Sequence, residues 1–184
     1  QMYYDAEGNK TKTFSDDYAV FTGKQMFAPW AGGFNFTFGW KGLSIGAQFS
    51  WVAGKYTFNN DKFFLMNPLF VTDGNGAAEL LNMWTTPGQI TDVPCLESER
   101  KPGNDIWLED ASFLRLKNLQ CAYTLPRNLV RKIGFIDNVK VFVVGRNLLT
   151  FTKYTGYDPE SASNLQLGRY PNSKQFTFGA EINF

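Results

Sequence analysis

The chain has 184 residues, enough for one domain, and its formal charge of +1 gives no strong attraction to nucleic acid or to acidic membrane surfaces. It contains no histidine, so the commonest general base, the Ser-His triads and most zinc sites are excluded. Aromatic residues make up 17% of the chain. A transmembrane helix needs an apolar run of about 18 residues, and no run in the chain is that long. This composition is typical of strands in which apolar and polar residues alternate.

The first two predicted strands cover residues 29–40 and 43–54, and both alternate with a period of two. The apolar face of the first carries Trp30, Gly32, Phe34, Phe36, Phe38 and Trp40. The apolar face of the second carries Leu43, Ile45, Ala47, Phe49, Trp51 and Ala53. Lys41 and Gly42 between them predict a tight hairpin turn. Neither face carries a charge, which suits contact with lipid, where a charge at mid-bilayer costs roughly 2–4 kcal/mol.

The third and fourth predicted strands, residues 111–124 and 138–152, are less regular. In the third, the apolar leucines before Lys117 fall on even positions, whereas the apolar residues after Asn118 fall on odd ones. One extra residue near Lys117 and Asn118 would restore the phase, which predicts a β-bulge there. The fourth begins with valines on one face, and past its glycine, at position 145, the pattern does not fix the phase.

The fifth predicted strand, residues 174–184, alternates throughout and ends on a phenylalanine. Bacterial outer-membrane β-barrels commonly end in this way, and their terminal strand carries a signal for the barrel-assembly machinery. Four residues of this strand are expected to form that signal: Phe176, Phe178, Ile182 and Phe184.

The connections between the strands alternate in length. Residues 55–110 and 153–173 are long, whereas the Lys41 turn and residues 125–137 are shorter. Because such barrels have short periplasmic turns and long extracellular loops, the two long segments are expected outside the cell. Five strands do not close a barrel, and an open edge in lipid leaves backbone groups unpaired. We therefore expect a piece of a larger barrel, with Gln1 following either a removed export signal or a longer upstream chain.

Several stretches of the chain resemble the C-terminal barrel region of SusC-like (SusC/RagA family) TonB-dependent transporters, the outer-membrane nutrient importers of Bacteroidetes. The stretches are LEDASFLRLKNLQCAYTLP (108–126), VFVVGRNLLTFTKYTGYDPE (141–160) and YPNSKQFTFG (170–179), with the final Phe184. The upstream YYDAEGN (3–9) and GGFNFTFGWKGLS (32–44) also match. The resemblance implies an all-β fold: the last five strands of a transmembrane antiparallel barrel of about 22 strands, which surrounds an N-terminal plug. It also implies energy from TonB and a SusD-like surface lipoprotein acting as a lid.

Candidate cargo-binding residues lie in the two long loops, since aromatic faces stack on sugars and pack against peptides. They are Trp84, Trp107, Tyr154, Tyr157 and Asp158. The alternative for the aromatics is packing within the loops, and for Asp158, which precedes a proline, it is a turn. No catalytic residue, metal site or cofactor is expected, because the chain has no histidine and no credible nucleophile–base pair. Glu109 and Asp110 are neighbours that face opposite ways on a strand, so they cannot form a glycosidase pair. Cys95 and Cys121 are either free thiols or a single disulfide.

The sequence thus predicts a non-enzymatic segment of an outer-membrane importer of oligosaccharides or peptides. Its expected partners are the lipid bilayer, the remaining barrel and plug, the SusD-like lipoprotein, TonB through segments outside this chain, and the cargo, but not nucleic acid. Two alternatives stay open. One is a small independent outer-membrane porin or adhesin, and the other is a soluble secreted β-sandwich adhesion domain, which would keep its apolar faces inside.

Overall fold

The computed structural model describes residues 3–5, 7–13, 15–67, 70, 74–93, 95, 104–161 and 168–184. The chain forms two units. The strand unit comprises Phe27–Lys55, Asp110–Glu160 and Arg169–Phe184, and the loop unit comprises Gln1–Met26, Tyr56–Glu109 and Ser161–Gly168. Within the described residues, no helix has both the length and the apolar character needed to cross a membrane.

The described strands are numbered in chain order: β1 Tyr3–Tyr4, β2 Lys10–Thr11, β3 Trp30–Trp40, β4 Leu43–Ala53, β5 Tyr56–Phe58, β6 Leu108–Asp110, β7 Phe113–Thr124, β8 Asn138–Thr152 and β9 Gln175–Asn183. The described α-helices are short, Asn60–Leu65 and Arg127–Val130. Single turns of 3-10 helix cover Asp16–Tyr18, Ala78–Asn82, Asp105–Trp107 and Arg131–Ile133.

The strand unit is built on one antiparallel sheet of five strands, in the order β3-β4-β7-β8-β9. The five predicted strands are confirmed as one sheet, and their observed bounds differ from the expected ones by two residues or fewer. Each strand of this sheet lies beside the next sheet strand along the chain. The two strands that occur between β4 and β7 in sequence, β5 and β6, pair with each other in a separate ladder. The sheet is therefore a simple meander whose order follows the chain.

The register places apolar residues opposite apolar residues across the whole sheet. One row reads Phe38, Ile45, Cys121, Val143 and Phe178 on successive strands. A row on the opposite face reads Thr37, Gly46, Gln120, Val144 and Thr177. Because neighbouring residues of a strand point to opposite sides, these rows define one apolar face and one largely polar face.

The predicted bulge in β7 is confirmed. Leu116 pairs with Phe49 and Asn118 pairs with Gln48, so that Lys117 is left without an opposite residue on β4. This extra residue shifts the phase of β7, and the leucines before it and the apolar residues after it reach the same face. Without the bulge, Lys117 would be in phase with the later apolar residues and would carry its charge onto the apolar face.

Strand β8 has its own irregularity where the sequence pattern was ambiguous. Arg146 pairs with Asn118 and Leu149 with Leu116, which leaves Asn147 and Leu148 without opposite residues on β7. Asn147 has a φ of 53°, a left-handed conformation that asparagine tolerates better than most residues. Gly145 lies against the Leu148 side chain, and a Cβ there would come within 2.7 Å of it. Leu148 thus covers the glycine at this point of the apolar face.

The two ends of the sheet differ in their connections. At one end, Lys41 and Gly42 form a two-residue hairpin turn with φ values of 45° and 87°, as a type I′ turn requires. The N–H of Thr124 donates to the Gly42 carbonyl oxygen at 2.8 Å, and the N–H of Asp137 donates to that of Asn183, also at 2.8 Å. The long connections between β4 and β7 and between β8 and β9 leave from the other end. This grouping of short and long connections is the one that the sequence predicted.

The loop unit has a small aromatic core of its own. Its buried members are Phe63, Met66, Leu80, Val93 and Trp107. The helix Asn60–Leu65 supplies Phe63, whose ring lies 5.7 Å from that of Trp107 in an edge-on arrangement. Asn59 caps this helix, since its side chain accepts from the Lys62 N–H at 3.0 Å. The loop between β4 and β7 is therefore ordered around its own core where it is described.

Candidate functional site

The apolar face of the sheet is exposed over much of its area. Phe34 is 50% exposed, Phe176 63% exposed and Phe178 78% exposed. The rings of Phe34 and Phe49 stack with centroids 4.9 Å apart on this face. The exposed rings lie mainly on the edge strands β3 and β9, whereas Ala47 and Leu116 on the inner strands are buried. A large apolar face with such exposed rings is unusual for a soluble surface and indicates contact with lipid or with another protein.

The opposite face carries an ionic cluster on β7. The Arg115 guanidinium reaches Asp158 Oδ1 at 2.5 Å and Glu160 Oε2 at 2.6 Å, and Lys117 Nζ pairs with Glu160 Oε1. The Arg115 side chain is only 4% exposed. We call these four residues, Arg115, Lys117, Asp158 and Glu160, the carboxylate clamp. Arg115 and Lys117, two positions apart on the strand, both reach Glu160.

Backbone and amide groups complete the clamp. The N–H of Asn172 donates to Asp158 Oδ2 at 3.0 Å, and Asn172 Nδ2 donates to Glu160 Oε2 at 3.2 Å. The N–H of Glu160 donates to Asp158 Oδ1 at 2.9 Å, as in a local turn. Lys55 Nζ donates to the carbonyl oxygen of Pro159 at 2.7 Å. The segment 158–160 is thus held from several sides, by β7, by Lys55 and by the chain that leads into β9.

The pKa values of Asp158, in the clamp, and of Lys55, beside it, are both shifted. Burial opposes the ionisation of Asp158, but hydrogen bonds from Arg115 and from the N–H groups of Asn172 and Glu160 outweigh it, so the pKa of this carboxyl lies below its usual value. Burial lowers the pKa of Lys55 below its ordinary value, although the charges of Asp158 and Glu160 oppose that shift. At neutral pH Asp158 is therefore an anion that faces a buried guanidinium.

Towards the end with short connections, an aromatic ring interrupts the polar face. Phe142 lies over Gly179 of β9, where a Cβ would overlap the ring. Lys140 and Glu181 pair directly across the same two strands, with Nζ and Oε2 3.7 Å apart. The polar face therefore combines charged pairs with a ring packed over glycine, which explains an apolar residue at position 142 in a polar row.

The five candidate cargo residues fall into different environments. Trp107 belongs to the core of the loop unit and is 4% exposed, and Tyr154 is 6% exposed, with its ring over Gly156. Asp158 is held in the clamp. Trp84, in the loop unit, is 39% exposed, and Tyr157, in the strand unit, is 59% exposed. These two aromatics offer the surface that a ligand needs, and cargo contact remains a prediction.

The residues proposed as an assembly signal all lie at exposed positions. Phe176, Phe178, Ile182 and Phe184 are between 47% and 79% exposed. Phe184 stacks on Phe135, with ring centroids 6.3 Å apart and nearly parallel planes. Both cysteines are free thiols, Cys95 in the loop unit and Cys121 on the apolar face of β7. Of the two cysteine states that the sequence left open, the free thiols are observed.

Sequence reasoning missed the clamp. Arg115 and Lys117 were visible as basic residues two apart on a strand, and Asp158 and Glu160 as acidic residues two apart in a loop. Such spacing places each pair on one side of an extended chain, so that one pair can meet the other. Arg115 and Asp158 lie 43 positions apart in the sequence, which hid their contact.

Comparison with known proteins agrees with this architecture, although no family model matches the chain. It is 38% identical over 122 residues to the TonB-dependent receptor P3 of Formosa agariphila, which covers 60% of this chain and 12% of that protein. It is 29% identical over 82 residues to the TonB-dependent receptor SusC of Bacteroides thetaiotaomicron, which covers 44% of this chain and 8% of that one.

Solved structures match the chain more fully. A structure of the RagAB peptide transporter superposes with a TM-score of 0.92 at 39% identity and covers 100% of this chain. The RagAB peptide importer in its open-open state superposes with a TM-score of 0.89 at the same identity. This chain spans 21% and 20% of those chains, a small part of each. The chain resembles a segment of the SusC-like TonB-dependent receptors.

Proposed function

We propose that the chain forms part of the barrel wall of an outer-membrane, TonB-dependent importer of the SusC type. The single observation that carries the proposal is the apolar, charge-free rows that run across all five strands of the sheet and are exposed on its edge strands, β3 and β9. A soluble protein would cover such a face, because each Å² of buried apolar surface contributes about 25 cal/mol. A lipid bilayer covers it without a second protein layer.

The edges of the sheet support a larger assembly. Among the described strands, β3 and β9 each pair with one neighbour in this sheet. Unpaired backbone groups in lipid cost several kcal/mol each, so strands outside this chain must pair with both edges. The proposed whole is a barrel of about 22 strands with a plug inside it, as transporters of that size have. The plug, and the segment that contacts TonB, then belong to other parts of the same protein.

The proposed activity is transport and involves no bond chemistry. The named relatives are receptors and importers, which supports this assignment. The importer would work in the bacterial outer membrane with a SusD-like surface lipoprotein as its lid and with TonB as its source of energy. The long connections at one end of the sheet would then face the cell exterior, where the lid and the cargo arrive.

The proposed cargo is an oligosaccharide or a peptide. The likeness to a peptide importer over the full length of this chain favours peptides as the first cargo to test. Trp84 and Tyr157 are the candidate contacts, since exposed aromatic rings can pack against either class of cargo. A single aromatic ring does not discriminate between peptides and oligosaccharides, so the cargo class has to be determined from growth on each nutrient.

The test is deletion of the complete gene in its native host, followed by growth on peptides or on oligosaccharides as the limiting nutrient. We expect slower growth on one class, restoration by the native gene, and no restoration when the TonB-contacting segment is removed. The complete protein should fractionate with the outer membrane and need detergent for extraction. A protein that stays in solution without detergent would contradict the proposal and favour the secreted adhesion domain.

A further inference from the structure

The carboxylate clamp joins a loop to the wall of the sheet at a point that the transport proposal does not require. Asp158 and Glu160 lie in the connection that follows β8, and Arg115 and Lys117 lie in the middle of the sheet on β7. The loop therefore folds back over the polar face. Tyr157 is the residue immediately before the first of these carboxylates and is 59% exposed.

The geometry of the clamp is rigid at its centre. The Arg115 guanidinium lies over the Phe113 ring, 5.5 Å from the ring centroid, while its nitrogens face the two carboxylates. A planar guanidinium held between a ring and paired oxygens has little freedom to turn. Each carboxylate also accepts from Asn172, so that the loop is joined to the polar face and to the strand that follows it.

We propose that Arg115 and Lys117 are positioning residues that hold Tyr157 for cargo on a fixed segment of the polar wall. The cargo contact of Tyr157 rests on the proposed function, whereas the clamp itself rests only on the contacts above. In this arrangement the segment 157–160 holds one position before cargo arrives. Tyr157 then meets cargo as part of the wall, and the entropy of ordering a mobile loop is not lost at each binding event.

The clamp is tested by hydrogen exchange of the complete transporter in detergent. Arg115→Gln should speed exchange in peptides that cover residues 153–160 and 169–174 by roughly 100-fold, because removal of one partner leaves a buried carboxylate without its counter-charge. Exchange in β3 and β4 should not change. Arg115→Lys keeps the charge but loses the fork, and should fall between Arg115→Gln and the native protein.

The matched control is Glu181→Gln. Its pair with Lys140 lies on the same face, but the side chains are 36% and 55% exposed and the distance is 3.7 Å. Surface pairs contribute little, so exchange should change less than about twofold in every segment. If Arg115→Gln gives no folded protein, Asp158→Asn makes the same test with a side chain of the same size. Native-like exchange at residues 153–160 in a folded Arg115→Gln or Asp158→Asn variant would overturn the clamp.

The positioning role is tested by uptake of a labelled peptide mixture. Tyr157→Ala should raise the peptide concentration at half-maximal uptake and leave the maximal rate unchanged. Arg115→Gln should do the same, and the double variant should be no worse than Tyr157→Ala, since Arg115 acts through that residue. Additive effects would overturn the positioning role. An unaffected Tyr157→Ala variant would remove the cargo contact, while the exchange experiment would still decide whether the clamp exists.

Discussion

Replacement of Phe178 by arginine gives the sharpest test of which face meets lipid. Phe178 is 78% exposed and lies in a row with Phe38, Ile45, Cys121 and Val143. At about 3.3 Å per residue it lies roughly 10 Å from the start of β9 and 17 Å from its end. In the proposed barrel, this position lies well inside the apolar band of about 25 Å that outer-membrane barrels present to lipid.

The expected cost follows from this position. Arginine on the lipid face near the bilayer midplane costs about 2–4 kcal/mol, which lowers the ratio of folded to unfolded barrel roughly 30- to 700-fold. The row offers no counter-charge, because it contains no aspartate or glutamate. The full penalty should therefore apply to Phe178→Arg.

The assay is the yield of the complete protein that resists unfolding by cold SDS in outer-membrane fractions, with the midpoint of urea unfolding as a second measure. Thr177→Arg is the matched control, since it adds the same charge one residue away on the polar face, opposite Val144. Phe178→Leu should keep nearly native yield because it stays apolar. Equal yields for the two arginine variants would refute the face assignment.

Three further perturbations test the packing and the electrostatics. Gly179→Val should lower the urea midpoint by the equivalent of roughly 1–3 kcal/mol because its Cβ overlaps the Phe142 ring, and Phe142→Ala should rescue this variant. Gly39→Val should not lower it, because a Cβ there would meet only the Leu43 carbonyl oxygen, at 3.9 Å. The difference in melting temperature between native protein and Asp158→Asn should stay constant at neutral pH and shrink as the pH falls below 3.8, the ordinary value for this carboxyl. This sign follows because a lowered folded-state pKa adds stability above the unfolded pKa and loses it as the carboxylate is protonated. Asn59→Ala should destabilise the loop unit by about 1 kcal/mol through loss of its helix cap, seen as faster exchange at residues 56–67, whereas Ser15→Ala should leave those residues unchanged.

The sequence predicted the strands well because each carried its own two-residue period. The bulge at Lys117 was predictable for the same reason, since the phase of the leucines changes visibly across it. The second irregularity was not, because Gly145 has no side chain to mark a face and Leu148 and Leu149 are both apolar. There the pairing with β7 decides the phase, and one strand alone does not contain that information.

The candidate site was less predictable than the fold. Trp107 and Tyr157 are both loop aromatics in the sequence, yet the first is 4% exposed and the second 59%. The burial of Trp107 comes from a partner distant in the chain, since the Phe63 ring packs edge-on against it. The clamp was hidden likewise, because its acidic and basic pairs lie on different elements.

The way in which the large loop leaves and rejoins the sheet has a consequence for evolution. Immediately beyond β4 and before β7, the N–H of Ala111 donates to the carbonyl oxygen of Lys55 at 2.8 Å, and β5 pairs with β6 directly after that bond. This bond and the β5–β6 ladder, together called the neck, hold the two ends of the loop between β4 and β7 together, whatever the sequence between them. Loop-closure entropy rises by only about 0.6 kcal/mol for each doubling of length, so the segment above the neck can be exchanged or lengthened without a change of strand register. The loop sequence can then diversify on a sheet that stays the same.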